Sequence, residues 1–132
     1  MSNPLLCEFR QVLHTRISDS KRGADKCTTN LLFYIFAGTR GGITRLCIIM
    51  KLLERPRNHN QLAKDLGIDY KAIKHHMSVL EHNNMVLRIG DNRYGAPYCI
   101  SDLLEMNLGV LDGVIDKLSY NMEKRNRKKF YY

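Results

Sequence analysis

Apolar residues recur every three or four positions in several segments of this chain, which is the spacing of one face of an α-helix. The first such segment, residues 4–18, follows Pro4, and its apolar positions are Leu5, Leu6, Phe9, Val12, Leu13 and Ile17. The next run, residues 28–42, is apolar on all sides, so it fits either a buried helix capped by Thr29 or a buried strand; we favour the helix. Residues 1–40 are therefore expected to form an N-terminal helical extension.

The helical spacing then returns in two segments with clear ends. The first is Ile43–Glu54, where Pro56 stops the pattern. The second is His59–Leu66, and Asn58 followed three residues later by Gln61 has the pattern of a capping box, in which each side chain accepts a hydrogen bond from the backbone of the other. Both segments are predicted to be helices.

A third helix and a β-hairpin are predicted next. Gly67 suits the left-handed residue that ends a helix, and Asp69 offers an N-cap oxygen for a helix over residues 69–83. Residues 85–100 then contain β-prone residues on both sides of a Gly-Asp-Asn turn, and Pro97 suits the start of a strand. We interpret this segment as a hairpin and call it the wing.

The C-terminal part has a seam of apolar residues that alternate at spacings of four and three, as in a coiled coil. After the N-cap Ser101, the seam residues are Leu104, Leu108, Leu111, Ile115, Leu118 and Met122. An exposed seam of this length is unusual, so residues 101–123 are predicted to be a dimerisation helix. The remaining residues, 124–132, are rich in Lys and Arg and predict a flexible basic tail.

Three helices followed by a hairpin is the order of a winged helix-turn-helix. The predicted fold class is mostly α (α+β), with a DNA-binding domain over residues 41–100. The segment Gly38–Gly42 and the string NQLAKDLGIDYKAIKHHMSVLEHNNMV resemble the ArsR-like winged-helix regulators, in particular archaeal members in which Gly-Thr-Arg-Gly-Gly precedes helix one. The pair His75 and His76 before Met77 is similar to the recognition helix of that family.

That resemblance covers roughly residues 30 to 100 and implies a dimeric DNA-binding transcription factor. The metal-binding Cys motif of metal-sensing members is absent from the third helix, and no effector motif matches. The charge agrees with a polyanionic partner, since 21 Lys and Arg against 13 Asp and Glu give a net charge of +8. Charge by itself does not distinguish DNA from RNA, an acidic protein or a membrane surface.

The third helix is predicted to read DNA. If Ile73, Met77 and Leu80 face the core, the opposite face is polar and can enter the major groove. The residues expected to contact DNA from this helix are Tyr70, Lys71, Lys74, His75 and Ser78. Those expected outside it are Arg88, Arg93 and Tyr94 of the wing, and Asn58 at the start of the second helix. The alternatives are a solvated charged face and, for Asn58, a capping role alone.

Other chemistry is not supported by the pattern. The residues that come closest to a catalytic group are His75, His76, His82 and Glu81, which lack a nucleophile, a paired carboxylate or a phosphate-cradling loop. We therefore expect no enzyme, no cofactor and no metal site. The cysteines Cys7, Cys27, Cys47 and Cys99 are far apart and show no zinc-ligand spacing, which favours reduced thiols.

The N-terminus lacks the pattern of a secretory signal, and no apolar stretch is long enough to cross a bilayer, so we expect a cytoplasmic protein without a membrane partner. The predicted function is a sequence-specific regulator that binds double-stranded DNA as a homodimer, with the transcription machinery as a further candidate partner. The alternatives are a winged-helix protein-interaction module, an architectural DNA-binding protein without strong sequence preference, and a redox sensor using Cys27 or Cys47.

Overall fold

The computed structural model describes residues 4–16, 25–90 and 94–130, with side chains as far as Arg125. In these residues the elements are α1 (Pro4–Arg16), α2 (Lys26–Phe36), α3 (Gly42–Glu54), α4 (His59–Leu66), α5 (Tyr70–His82), β1 (Val86–Arg88), β2 (Tyr98–Ile100), α6 (Asp102–Met106) and α7 (Leu108–Phe130). The chain divides into two units: residues 41–106, here the winged-helix unit, and residues 1–40 with 107–132, here the helical unit.

The winged-helix unit has the predicted architecture. Helix α3 packs against α4, α5 and strand β2, and α4 also packs against α5. The two strands form an antiparallel sheet in which Val86 pairs with Ile100 and Arg88 pairs with Tyr98. Three helices followed by this sheet are a winged helix-turn-helix, which confirms the predicted fold class. The hairpin turn, residues 91–93, lies outside the described residues.

The predicted helix ends in this unit are confirmed. The backbone N–H of Gln61 donates to Asn58 Oδ1 at 2.8 Å, and that of Asn58 donates to Gln61 Oε1 at 2.9 Å, so the capping box is complete. Gly67 has the left-handed conformation, with φ 64°, and ends α4. Asp69 Oδ2 accepts from the backbone N–H of Lys71 at 3.1 Å and begins α5. These local contacts fix the short turn between α4 and α5.

A buried arginine that the sequence analysis missed connects the elements around α4. The Arg57 side chain is almost wholly buried and donates from Nε to Asp65 Oδ2 at 2.7 Å and from Nη2 to Glu54 Oε2 at 3.1 Å. It also donates to the backbone carbonyl of Lys51 at the end of α3. Its own backbone pairs with Tyr98, so β2 is hydrogen-bonded on both of its edges. Arg57 thus positions the start of α4 against α3 and the wing.

In the helical unit, α7 packs against α1 and α2. His14 Nε2 lies 3.0 Å from Asp112 Oδ2, and Arg10 forms ion pairs with Asp112 and Asp116, so polar contacts also join α1 to α7. The second segment is a helix, as we favoured, but its N-cap is Asp25 and not Thr29. Asp25 Oδ1 accepts from the backbone N–H of Thr28 at 2.6 Å, which starts α2 one turn earlier than predicted.

The predicted dimerisation helix is two helices. Ser101 is the predicted N-cap, since its Oγ accepts from the backbone N–H of Leu104 at 3.1 Å, but the helix that follows, α6, ends at Met106. Asn107 forms a turn before α7 begins. Asn is a poor helix former and Gly109 follows closely, which explains why the helical spacing does not produce one continuous helix.

The predicted flexible tail is also corrected. The backbone of α7 is helical through Phe130, so residues 124–130 continue the helix and do not form a separate tail. Lys and Arg are good helix formers, and an existing helix extends more easily than a new one starts. Residues 131 and 132 lie outside the described residues.

The apolar seam is covered within the chain. The seam residues of α7 that are less than a tenth exposed are Leu108, Leu111, Ile115 and Leu118; Met122 is half-buried. Leu104 is also buried, but it belongs to the winged-helix unit. The prediction of a dimer assumed an exposed seam, and that assumption is wrong because α1 and α2 already pack on α7.

Candidate nucleic-acid interface

Helix α5 separates an apolar face from a polar one. Ile73, Met77 and Leu80 are buried, with 0%, 1% and 0% of their surface exposed, and they hold the helix in the core of the winged-helix unit. The predicted contact residues of the other face are all exposed: Lys71, Lys74, His75 and Ser78. The structure therefore brings these side chains together on one surface, as the helical spacing predicted.

Tyr70, the first residue of α5, is 44% exposed and is part of an aromatic cluster. Its ring meets the edge of the His59 ring with centroids 6.0 Å apart, and His59 stacks on Tyr98 at 5.1 Å with an angle of 19°. The cluster ties the start of α5 to the start of α4 and to β2. Tyr70 thus has a packing role and an exposed edge.

On the wing, Arg88 is held in place by Tyr98, its partner in the sheet register. The guanidinium donates to Tyr98 Oη from Nη2 at 2.9 Å and from Nε at 3.2 Å, and lies 5.5 Å from the centre of that ring. Tyr94 is 95% exposed, so its ring is open to a partner. Arg93, also predicted to contact DNA, lies outside the described residues.

Asn58 has two structural contacts. Its Oδ1 accepts from Gln61 in the capping box, and its Nδ2 donates to the carbonyl of Gly95 in the wing at 3.3 Å. The capping role is therefore observed, and it also joins α4 to the returning part of the hairpin. The side chain remains half-exposed at the surface.

These residues surround a cleft of ≈ 290 Å³, here called the wing cleft. Its lining includes the predicted contact residues Asn58, Tyr70, Lys74, Arg88 and Tyr94, and also His59, Asn60, Gly95, Ala96 and Tyr98. The sequence analysis missed this second group. One signal was present: His59 begins α4 and Tyr98 begins β2, and side chains at the ends of elements often reach a functional surface.

His59 lies in the wall of the wing cleft. Burial lowers the pKa of its imidazole, Arg88 and Lys74 lower it further, and Glu81 opposes them. Among the described residues, its buried Nε2 has no hydrogen-bond partner. A neutral ring fits this environment, because a second proton would add a positive charge beside two cations.

His76 lies on the packed side of α5, apart from the exposed face, in agreement with its omission from the predicted site. It is half-buried, and burial is the main cause of the lowered pKa of its imidazole, with Arg45 and His75 as further causes. A Cβ added to Gly41 would lie 3.0 Å from His76 Nδ1 and even closer to Cε1. Two features of the ArsR resemblance, the Gly-Gly pair and the His-His pair, thus meet at one packing contact.

The alternative of a redox switch finds little support at Cys47. Cys47 is half-buried, and burial raises the pKa of its thiol, which makes it less reactive as a redox switch. In the parts of the chain that are described, no three His, Cys, Asp or Glu side chains are grouped to hold a metal ion. None of the described helices combines the length and the apolar character that crossing a bilayer requires.

The match to a family model agrees with this fold. Residues 43–87, from α3 to β1, match the family model described as bacterial regulatory protein, arsR family. Among solved structures, the chain is similar to the transcriptional regulator Tm0710 from Thermotoga maritima, with 18% identity and a TM-score of 0.38, over 94% of this chain and 71% of that one. No curated protein matches the sequence.

The family match and the winged helix together define the class of protein: a DNA-binding transcription regulator. Residues 43–87 are similar to the arsR family, as the sequence resemblance predicted.

Proposed function

We propose that this regulator binds double-stranded DNA sequence-specifically as a homodimer. The recognition helix, residues 69–83, enters the major groove, and the wing, residues 85–100, contacts the backbone or the minor groove. The protein acts by occupying DNA and carries out no catalytic reaction.

The observation that carries this proposal is the division of α5 into a buried apolar face and an exposed face with Lys71, Lys74, His75 and Ser78. The major groove is wide enough to admit an α-helix, and it presents acceptors at guanine and adenine edges. Lys donates to these acceptors or to phosphates, whereas His and Ser can donate and accept. Tyr70 lies at the N-terminal end of the same helix, which is the end that enters the groove in helix-turn-helix proteins.

The wing adds contacts of a different kind. Arg88 is held by Tyr98 and keeps its positive charge at the surface, while Tyr94 is almost fully exposed. Arg93 belongs to the same hairpin in the sequence. Such residues contact phosphates or a narrow minor groove, so they orient the protein on DNA more than they distinguish bases. Asn58 lies beside them and contributes a half-exposed amide.

The homodimer is proposed to form through the helical unit. The seam residues of α7 are covered within one chain and form the core of the helical unit. The partner therefore packs on the outer surface of this unit. Tyr34 and Tyr120 are 65% and 56% exposed there. Large exposed aromatic residues are enriched at protein interfaces.

The test begins with selection of a binding site from a random DNA library. The triple variant Lys71→Ala, Lys74→Ala, His75→Ala is then compared with wild type and with the control Lys26→Ala, whose exposed lysine lies at the start of α2 in the helical unit. The α5 variant should keep its melting temperature and lose the selected site, with a cost of roughly 1 to 3 kcal/mol for each base contact removed. The control should bind nearly as wild type. Unaltered affinity of a folded α5 variant would contradict the proposal.

A further inference from the structure

Two cations from different elements reach the wing cleft. Lys74 comes from the exposed face of α5, and Arg88 comes from β1. Both are close enough to His59 to lower the pKa of its imidazole by their charge, so their positive potential overlaps in the cleft. Glu81 reduces this potential only in part, since its carboxylate lies 3.8 Å from Arg88 and does not line the cleft.

The two cations differ in how firmly they are held. The Arg88 guanidinium is fixed by two hydrogen bonds to Tyr98 Oη and by the Tyr98 ring, so its direction is set before any ligand binds. Lys74 is exposed and makes no hydrogen bond or ion pair with any described residue. A fixed guanidinium and an ammonium without a competing partner can together bind a tetrahedral oxyanion.

The rest of the lining agrees with a small anionic ligand. Asn60 adds an exposed amide, while Tyr70, Tyr98 and His59 form aromatic walls that reduce contact with water. A cleft of ≈ 290 Å³ is near the lower end of the size range for small-molecule sites. Electrostatic attraction is stronger beside such walls than on an open surface.

We propose that the wing cleft binds a single phosphate group between Lys74 and Arg88. The phosphate can belong to the DNA backbone, in which case the inference rests on the proposed function. The bound group is then the backbone phosphate that lies between the recognition helix and the wing. It can also be free phosphate or a phosphomonoester, which would then compete with DNA for the same two side chains.

The first experiment uses the full chain without DNA. Inorganic phosphate is added while the sodium chloride concentration is lowered, so that the ionic strength stays constant. The NMR signals of the His59 and Tyr70 rings are followed. Saturable shifts should appear at both rings. The pKa of His59 should also rise, because a bound anion favours the protonated imidazole.

Matched variants show whether the cleft is the site. Lys74→Gln should weaken phosphate binding about tenfold, the loss of one charge-assisted hydrogen bond. Lys71→Gln is the control, because it removes the same charge from the same exposed face but does not line the cleft. Equal loss in both variants, or shifts that never saturate, would overturn the proposal, since either result describes a diffuse positive surface and not a site.

The second experiment distinguishes the source of the phosphate. Single methylphosphonate linkages, which remove one backbone charge, are scanned through the selected DNA site. If the cleft holds a backbone phosphate, one linkage in each half-site should matter for wild type and for Lys71→Gln, and lose its effect in Lys74→Gln. If no linkage behaves in this way while the titration saturates, the ligand is free phosphate or a phosphomonoester. A chain that binds phosphate but no DNA would refute the proposed function and leave this site intact.

Discussion

Gly41 and His76 face each other in the winged-helix unit, and their contact gives a physical reason for a glycine before α3. The space that a Cβ would fill at Gly41 is occupied by the imidazole of His76, with Arg45 Nη2 3.1 Å away on another side. Gly109 offers a contrast, because no atom lies within 4 Å of the position where its Cβ would be. One glycine is required by a close approach, whereas the other is not.

Gly41→Ala is therefore expected to destabilise the protein by about 1 to 3 kcal/mol, the usual cost of overpacking a tight contact. Gly109→Ala is the control and should be neutral or slightly stabilising. Chemical denaturation measures both. In a double-mutant cycle, Gly41→Ala should cost much less when His76 is already Ala, because the ring that blocks the methyl group is gone. Additive effects would show that the Gly41–His76 contact is not the cause.

The lowered pKa values of His59 and His76 predict how stability depends on pH. Each imidazole binds a proton less readily in the folded state than at its ordinary value of 6.5. Above that pH both imidazoles are neutral in the folded and in the unfolded state, so their protonation takes nothing from the free energy of unfolding. As the pH falls through 6.5, the unfolded chain takes up protons first, so stability decreases. The free energy of unfolding should therefore be lower at about pH 5.5 than at about pH 7.5.

The variant His59→Asn, His76→Gln should reduce this dependence on pH. His82→Gln is the control, since His82 is exposed at the end of α5. Urea denaturation at the two pH values gives the slopes. If the double variant loses as much stability on acidification as wild type does, other groups are responsible.

Arg57 connects the elements α3, α4 and β2 through its side chain and its backbone. Arg57→Ala should lower the free energy of unfolding by about 2 to 4 kcal/mol, because it removes charge-assisted hydrogen bonds and leaves Asp65 without its partner. Arg55→Ala, at an exposed position two residues earlier, is the matched control and should cost little. Equal melting temperatures for the two variants would show that the Arg57 network does not support the fold.

The elements that were predicted well are those whose ends are determined locally. The capping box of Asn58 and Gln61, the left-handed Gly67 and the cap of Asp69 each involve residues at most four apart. Helices α3 to α5 could therefore be read from the sequence, and the exposed face of α5 followed from its spacing. The turn at Asn107 was missed because the apolar spacing continues across it.

The parts that could not be predicted depend on contacts between distant segments. Tyr98 holds Arg88 and stacks on His59, so the wing cleft exists only once β2 and α4 are packed together. The cover of the α7 seam likewise comes from α1, about a hundred residues away in the chain. Spacing shows that a face is apolar, but not whether a helix of the same chain or a second chain covers it.

Because the α7 seam is covered by the same chain and not by a second one, the expected effect of mutations in α7 changes. Leu111 is fully buried within the chain, so Leu111→Asp should unfold the helical unit and not simply separate two subunits. Tyr120→Asp, at an exposed position of the same helix, should keep the helical content and yield a monomer if the proposed dimer surface includes it. Light scattering combined with circular dichroism separates the two outcomes. A folded, dimeric Tyr120→Asp variant would exclude this tyrosine from the interface.

The symmetry and half-site spacing of the selected DNA site test the proposed homodimer. A homodimer with twofold symmetry presents two copies of α5, and both reach bases from one side of the duplex only if they enter successive major grooves. The selected site should therefore be an inverted repeat with half-site centres about 10 bp apart or a multiple of that distance. Inserting about half a helical turn, roughly 5 bp, between the half-sites should rotate one half-site to the opposite side of the duplex and reduce affinity to that of a single half-site. Inserting a full turn should return both half-sites to the same side of the duplex. Footprinting and affinity measurements on these three DNAs give the result. Equal affinity for all three would show that each α5 binds independently, and the homodimer would then play no part in DNA recognition.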